Sequence, residues 1–270
     1  MIFIQFAIIG YIIISCLVFL FQRNLMYHPS RDIGDPGKYG LGQINDLFIE
    51  SLDGVRVQLW QHTAKPGYPT IIYFHGNAIN LGDRVAKFSA FIDSGFGLIA
   101  VGYRGFGKSE GTPTESGIYR DAQASINYAL IDLKIPQEEL IYFGESLGSG
   151  VAVQMATKRP PALLVLEAAY TSVETRSAEL YPFIIGVRQL VLDKYDSLSK
   201  IKKVICPLLM LHGTKDLTIP LRHGQQLFEA ANEPKRLVVY DDVHHADYTP
   251  EQIVTPVIEE AKKLGLIKSA

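Results

Sequence analysis

The chain has 270 residues, 47% of them hydrophobic, and a formal net charge of −2. It is long enough for one α/β domain with a large core and too apolar to be a disordered chain. Without a Lys/Arg cluster, that charge balance leaves no footprint for nucleic acid, and two cysteines in unlike surroundings, Cys16 and Cys206, offer no disulfide framework.

In chain order, residues 2–21 are apolar but for Gln5, Gly10, Tyr11 and Ser15, and none is charged. About 20 such residues match the thickness of a bilayer core. A cleaved signal peptide would need a basic start, a shorter apolar core and a small-x-small site. A lipoprotein signal at Ile13-Ile14-Ser15-Cys16 would not run on apolar past Cys16. A buried core helix would leave no polar side for water. An uncleaved membrane anchor over 1–22 fits best. By the positive-inside rule, the few charges on its C-terminal flank, Arg23 and Arg31, would put the following domain in the cytoplasm.

Residues 23–45, with Tyr27-His28-Pro29 and Asp35-Pro36-Gly37, read as a linker. Strand-like runs at 46–51 and 55–61 flank Asp53-Gly54, a strong hairpin signal. A strand at 70–74 then opens an alternation. Helical patterns at 81–94 and 119–133 and apolar runs at 98–103, 140–143, 163–166 and 208–211 follow, then a helix at 225–231, a strand at 237–240 and a closing helix at 253–264. Such alternation predicts an α/β fold: a mostly parallel sheet of about eight strands with helices on both faces, the opening hairpin adding an antiparallel edge. Residues 171–199 break the alternation and read as a small helical insertion over the site, inside a single domain spanning 46–270.

Within that frame, Gly144-Glu145-Ser146-Leu147-Gly148 sits between a strand and a helix. There the glycines relieve crowding at a strained turn that lifts the Ser146 hydroxyl above the sheet, and the Leu147 N–H falls at a helix N-terminus. In parallel sheets ligands bind beyond the C-terminal strand ends. His75-Gly76-Asn77, Tyr103-Arg104-Gly105-Phe106-Gly107, Ser146, Asp216 and His244-His245 all fall there. Ser146, Asp216 and His245 follow the hydrolase order Ser…Asp…His. A serine hydroxyl needs a histidine to take its proton, and a carboxylate to orient that histidine and stabilise the imidazolium. Asp241 and Asp242 compete for the acid role. Glu145 reads as a surface or helix-end charge, His75 as a brace for its loop, and Arg104 as a loop-shaping residue that could hold a buried partner. Neither a metal-ligand spacing nor a complete dinucleotide fingerprint is present, and a triad hydrolase needs no cofactor.

These stretches, together with Phe74-His75-Gly76-Asn77-Ala78, Tyr103 to Gly111, His212 to Asp216 and His245-Ala246-Asp247, resemble the α/β-hydrolase superfamily, more narrowly its small membrane-anchored serine hydrolases. That branch includes eukaryotic acyl-protein thioesterases and bacterial prolyl-aminopeptidase-like proteins. The resemblance implies Ser146 as nucleophile, Asp216 as orienting acid and His245, rather than His244, as base, with an oxyanion hole made by the backbone N–H groups of Asn77 and Leu147. It implies hydrolysis of an ester, thioester or amide through an acyl-enzyme. The short insertion, which leaves an open site, and the membrane anchor, which brings it close to lipid, favour small-molecule or lipid-like acyl esters or thioesters, lipidated proteins included, over free peptides. A peptidase of the same fold and a non-catalytic, membrane-tethered binding protein are the alternatives. A dehalogenase or epoxide hydrolase would want Asp in place of Ser146. The oligomeric state is not legible.

Overall fold

A computed structural model describes residues 2–245 and 247–268. Met1, Ser269 and Ala270, at the ends of the expected anchor and domain, and Ala246 of the His245-Ala246-Asp247 match lie outside the described residues.

Helix α1 (Ile2–Met26) is long and apolar enough to cross a membrane by length and composition, an 18-residue stretch of it having a mean hydropathy of 2.5. The helix does not stop at residue 22 but runs through Met26. The expected linker then packs on the domain. Tyr27, Leu41 and Ile44 are buried, and His28–Pro29 pairs in parallel with Ala78–Ile79 beside the loop that carries Asn77.

Eight strands form the main sheet: β1 (Asn45–Glu50), β2 (Arg56–His62), β3 (Thr70–Phe74), β4 (Gly97–Gly102), β5 (Leu140–Glu145), β6 (Leu163–Glu167), β7 (Leu208–Gly213) and β8 (Lys235–Tyr240). Their order is β8-β7-β6-β5-β3-β4-β2-β1. Only the β1–β2 and β2–β4 pairs are antiparallel. At the Asp53-Gly54 turn Gly54 takes φ +81°, and Ser51 N donates to Val55 O at 2.8 Å. Side chains alternate across a strand, and the sheet therefore feeds two cores. Ile72, Phe74, Tyr142 and Leu164 meet α3 (Glu115–Asn127), α4 (Leu147–Lys158) and α8 (Leu221–Ala230) on one face. Ile71, Tyr73, Phe143 and Val165 meet α2 (Val85–Asp93) and α9 (Pro250–Lys263) on the other. Both faces being covered explains why the central strands are near-continuous apolar runs.

The helical signals at 81–94 and 119–133 resolve more finely than the sequence suggests. The first opens with a 3-10 turn over Leu81–Arg84, and the second closes with a wide π turn over Tyr128–Asp132. Between β6 and β7 the chain forms α5 (Val173–Leu180) and α6 (Val187–Leu190), then returns to the domain at α7 (Leu198–Ile201).

Candidate active site

Ser146 links β5 to α4 with φ +50° and ψ −116°, outside the regions ordinary L residues prefer. The surrounding structure enforces this. Ser146 N donates to Glu167 O at 2.9 Å, and its carbonyl accepts from Ser149 N at 2.9 Å. A Cβ at Gly144 would press on the Gly148 carbonyl and Ser149 Cα, and one at Gly148 would overlap the Phe74 carbonyl. Only glycine allows the helix to turn that sharply off its strand.

Asp216 follows β7 and His245 follows β8, and these loops are fastened to one another. Thr214 N donates to Tyr240 O (2.9 Å), Lys215 N to Val243 O (3.0 Å) and Asp242 N to Thr214 Oγ1 (3.0 Å). A Cβ at Gly213 would collide with the Val243 carbonyl, so the loops approach as closely as backbone permits. The structure brings the three sequence-predicted residues together. His245 Nδ1 lies 2.7 Å from Asp216 Oδ2, and His245 Nε2 lies 2.9 Å from Ser146 Oγ. An ionised carboxylate only accepts, so Nδ1 carries the proton and Nε2 faces the hydroxyl as an acceptor. The other Asp216 oxygen accepts from Ile219 N at 2.7 Å, and the side chain is fully buried. The rival residues lie elsewhere: Asp241, Asp242 and His244 are exposed, and Asp242 is 3.5 Å from Lys215.

Asn77 and Leu147 flank Ser146 at the base of a cavity of about 230 Å³. Among the described residues neither backbone N–H has a protein acceptor. The Asn77 loop is held from outside. Its carbonyl accepts from His28 N at 2.9 Å, and its Nδ2 donates to Met26 O at 2.6 Å. His75 braces the loop from inside, with Nδ1 2.7 Å from Gly76 O and its ring centroid 4.2 Å from that of Tyr103. Burial, reinforced by the Arg84 charge, pushes its imidazole down to about 3, so it stays neutral.

Glu145 is not the surface charge expected from sequence. It belongs to an almost dry network beneath the turn. Its carboxylate accepts from Arg84 at 2.9 Å, Lys87 at 3.2 Å and the Tyr73 hydroxyl. Lys87 also reaches both Glu167 oxygens at 2.7 and 2.8 Å. Glu145 and Glu167 are register partners across β5 and β6, so two carboxylates meet at adjacent strand ends and need those cations between them. Burial works to raise Glu145, but Lys87 and Arg84 outweigh it and hold its carboxyl well below the usual range. For Glu167 burial prevails over Lys87 and the carboxyl is pushed up. Arg104 does hold a buried partner, Asp121, together with the exposed Asp53. It donates to Asp121 and Asp53, each at 2.7 Å at closest, and ties the β1–β2 turn to α3.

Residues 68–199 match a family model described as serine aminopeptidase, S33. Over 268 residues, 98% of this chain and 94% of the relative, the sequence is 34% identical to an uncharacterized protein of Mycobacterium tuberculosis, Rv2307c. It is 28% identical to the lysophosphatidylserine lipase ABHD12 of Danio rerio, over 76% of this chain and 63% of that protein. An α/β hydrolase from Vibrio vulnificus superposes with a TM-score of 0.71 at 17% identity, covering 87% of this chain and 88% of that one. The chain belongs to the α/β-hydrolase superfamily. As an α/β-hydrolase it carries the strand–turn–helix elbow at Ser146, with the loops after β3 and β7 lining the cavity beside it and the loop after β8 reaching it through His245. Sequence reasoning missed two parts of this α/β-hydrolase site, the charged network around Lys87 and the approach of α1 to the cavity.

Proposed function

We propose that this protein is a membrane-anchored serine hydrolase that cleaves a carboxylic ester or thioester through an acyl-enzyme on Ser146. The observation that carries this reading is the continuous chain Asp216 Oδ2, His245 Nδ1, His245 Nε2, Ser146 Oγ, with links of 2.7 and 2.9 Å. As Ser146 Oγ bonds to the acyl carbon, its proton passes to His245 Nε2, and Asp216 stabilises the imidazolium. The carbonyl electron pair moves onto oxygen, where the Asn77 and Leu147 N–H groups receive it. Each such donor is worth about a hundredfold in rate. The intermediate collapses, His245 protonates the departing alcohol or thiol, and water activated by the same histidine releases the acid.

The cavity above Ser146 is mostly apolar, which suits an acyl chain. An aminopeptidase would need a carboxylate for the free α-amine. Among the described lining residues the only charged side chain is Arg176, a cation, which favours esters and thioesters over peptides. The lipase activity of the zebrafish relative points the same way. Helix α1, as a single-pass anchor with the domain on the cytoplasmic side, would hold the site at a lipid surface.

The test is labelling of the full chain by a fluorophosphonate, beside Ser146→Ala and His245→Ala. Wild type is expected to label and both variants to lose labelling. A folded wild type that stays unlabelled would refute the reading.

A further inference from the structure

Helix α1 does more than lie near the site. Val18, Phe19, Gln22, Leu25 and Met26 line the cavity above Ser146. At 100° per residue these positions share one face, and from Met26 to Val18 they run about 12 Å along the helix. Met26 marks the inner end, because its carbonyl holds Asn77 Nδ2 beside the nucleophile. Val18 marks the outer end. Leu180, Ile184, Val187 and Leu190 line the facing wall.

The two walls are joined by specific bonds. Gln22 clasps the end of α6 and the segment after it through its side chain, Nε2 to Leu190 O at 3.1 Å and Oε1 from Leu192 N at 2.8 Å. Arg23 forks onto both oxygens of Asp193 at 2.8 and 3.2 Å. Further out, the Tyr11 hydroxyl accepts from Ile185 N at 2.7 Å. At that level Phe183 and Ile185 on the insertion are exposed, as are Ile8, Ile12 and Ile14 on α1, so the rim of the cavity is apolar on both sides. Gln22 and Arg23 spend their polar atoms on the insertion, which leaves a predominantly apolar seam between the helix and the cap.

We infer that α1 forms the outer wall of the acyl-chain site and measures the chain: the acyl tail lies in the seam between α1 and the insertion, and enters lengthwise from the hydrocarbon layer that α1 occupies. The inference rests on the serine hydrolase reading and deepens it, assigning chain-length selectivity to the membrane helix. Long-chain amphiphiles would then need no exit into water, because the tail exchanges one apolar surrounding for another while the carbonyl reaches Ser146.

The experiment compares the full-length protein in lipid nanodiscs with Val18→Trp, Phe19→Trp and Leu20→Trp, reading kcat/KM for p-nitrophenyl decanoate and p-nitrophenyl butyrate and, in parallel, fluorophosphonate labelling. Val18 and Phe19 face the outer half of the seam, whereas Leu20 lies outside the lining and is exposed. The decanoate-to-butyrate ratio is expected to fall about tenfold or more in Val18→Trp and Phe19→Trp, and to stay at the wild-type value in Leu20→Trp, with all three still labelled. Wild-type ratios in all three labelled variants, or an equal loss in Leu20→Trp, would overturn the inference and leave the hydrolase reading intact. Absence of labelling in wild type would instead remove the hydrolase reading itself.

Discussion

The cavity has two walls of opposite construction. The inner wall consists of strand ends and the loops that leave them. Its backbone is fixed by glycine close approaches, its ionisable groups are buried in pairs, and Ser146 is held in a conformation it would not adopt alone. The outer wall, α1 and the insertion, has few buried residues and is fastened chiefly by Gln22, Arg23 and Tyr11. Chemistry needs groups held to fractions of an ångström, which packed strands supply. Recognition of a flexible tail needs apolar area more than precision, and loosely joined helices supply that.

The largest effects are expected at the inner wall. Under the proposed hydrolysis, Ser146→Ala or His245→Ala is expected to lower kcat for an activated ester by about 10⁴-fold or more, because the members of such a triad act as a unit. The unfolding midpoint should barely move; a large drop in stability instead would mean that the residues are structural. Next in size is Lys87→Met. It strands Glu167, only 1% of whose side chain is exposed, and leaves Glu145 to Arg84 and Tyr73. Removing one partner of so buried a set costs about 3–5 kcal/mol at neutral pH by urea unfolding. The loss should shrink in acid, where Glu167 can take a proton.

A pH series sharpens the contrast further. His75 is held near 3 when folded, against about 6.5 when free. Between those values the unfolded chain binds a proton that the native state refuses. Stability contributed at this position is therefore present above about 6.5 and is lost as pH falls toward 3, by up to about 1.4 kcal/mol per pH unit. His75→Phe should flatten that part of the urea midpoint curve, and an unchanged slope would show that other groups set it. The smallest effect is expected at the outer wall. Arg23→Ala breaks a pair in which the arginine side chain is 42% exposed and Asp193 only 6%, but Asp193 keeps the Tyr27 hydroxyl and the Glu115 N–H as donors, so the unfolding free energy should fall by only about 1 kcal/mol. The decanoate-to-butyrate preference should nonetheless weaken as α1 loses its register on the insertion.

How far each wall could be read from sequence follows from the range of its interactions. The elbow is local: Gly144, Ser146 and Gly148 announce a sharp turn within five residues, and strand periodicity locates the loops after β7 and β8. The network beneath is not local. Glu145 meets Arg84 and Lys87 across 61 and 58 positions, and Lys87 meets Glu167 across 80. In sequence Glu145 resembles any charge at a helix start. The retrievable signal was the pairing of two carboxylates at the ends of adjacent parallel strands, which becomes visible only once strand order is known. The outer wall was hidden for another reason. Hydropathy marks α1 as membrane-compatible but is blind to which face meets the domain, and the Gly/Pro composition of 23–45 reads as a linker without showing that Tyr27, Leu41 and Ile44 are buried. Tyr27 hydrogen-bonds Tyr195 at 2.9 Å across 168 positions, a contact with no local trace.

The most direct measurement is the intact mass of the full-length protein quenched within milliseconds of mixing with a p-nitrophenyl ester, followed by peptide mapping. The account requires a transient adduct equal in mass to the acyl group, on the peptide containing Ser146, formed at the rate of the p-nitrophenol burst and absent from Ser146→Ala. Turnover of the ester without any such adduct, or with the acyl group on another residue, would contradict it.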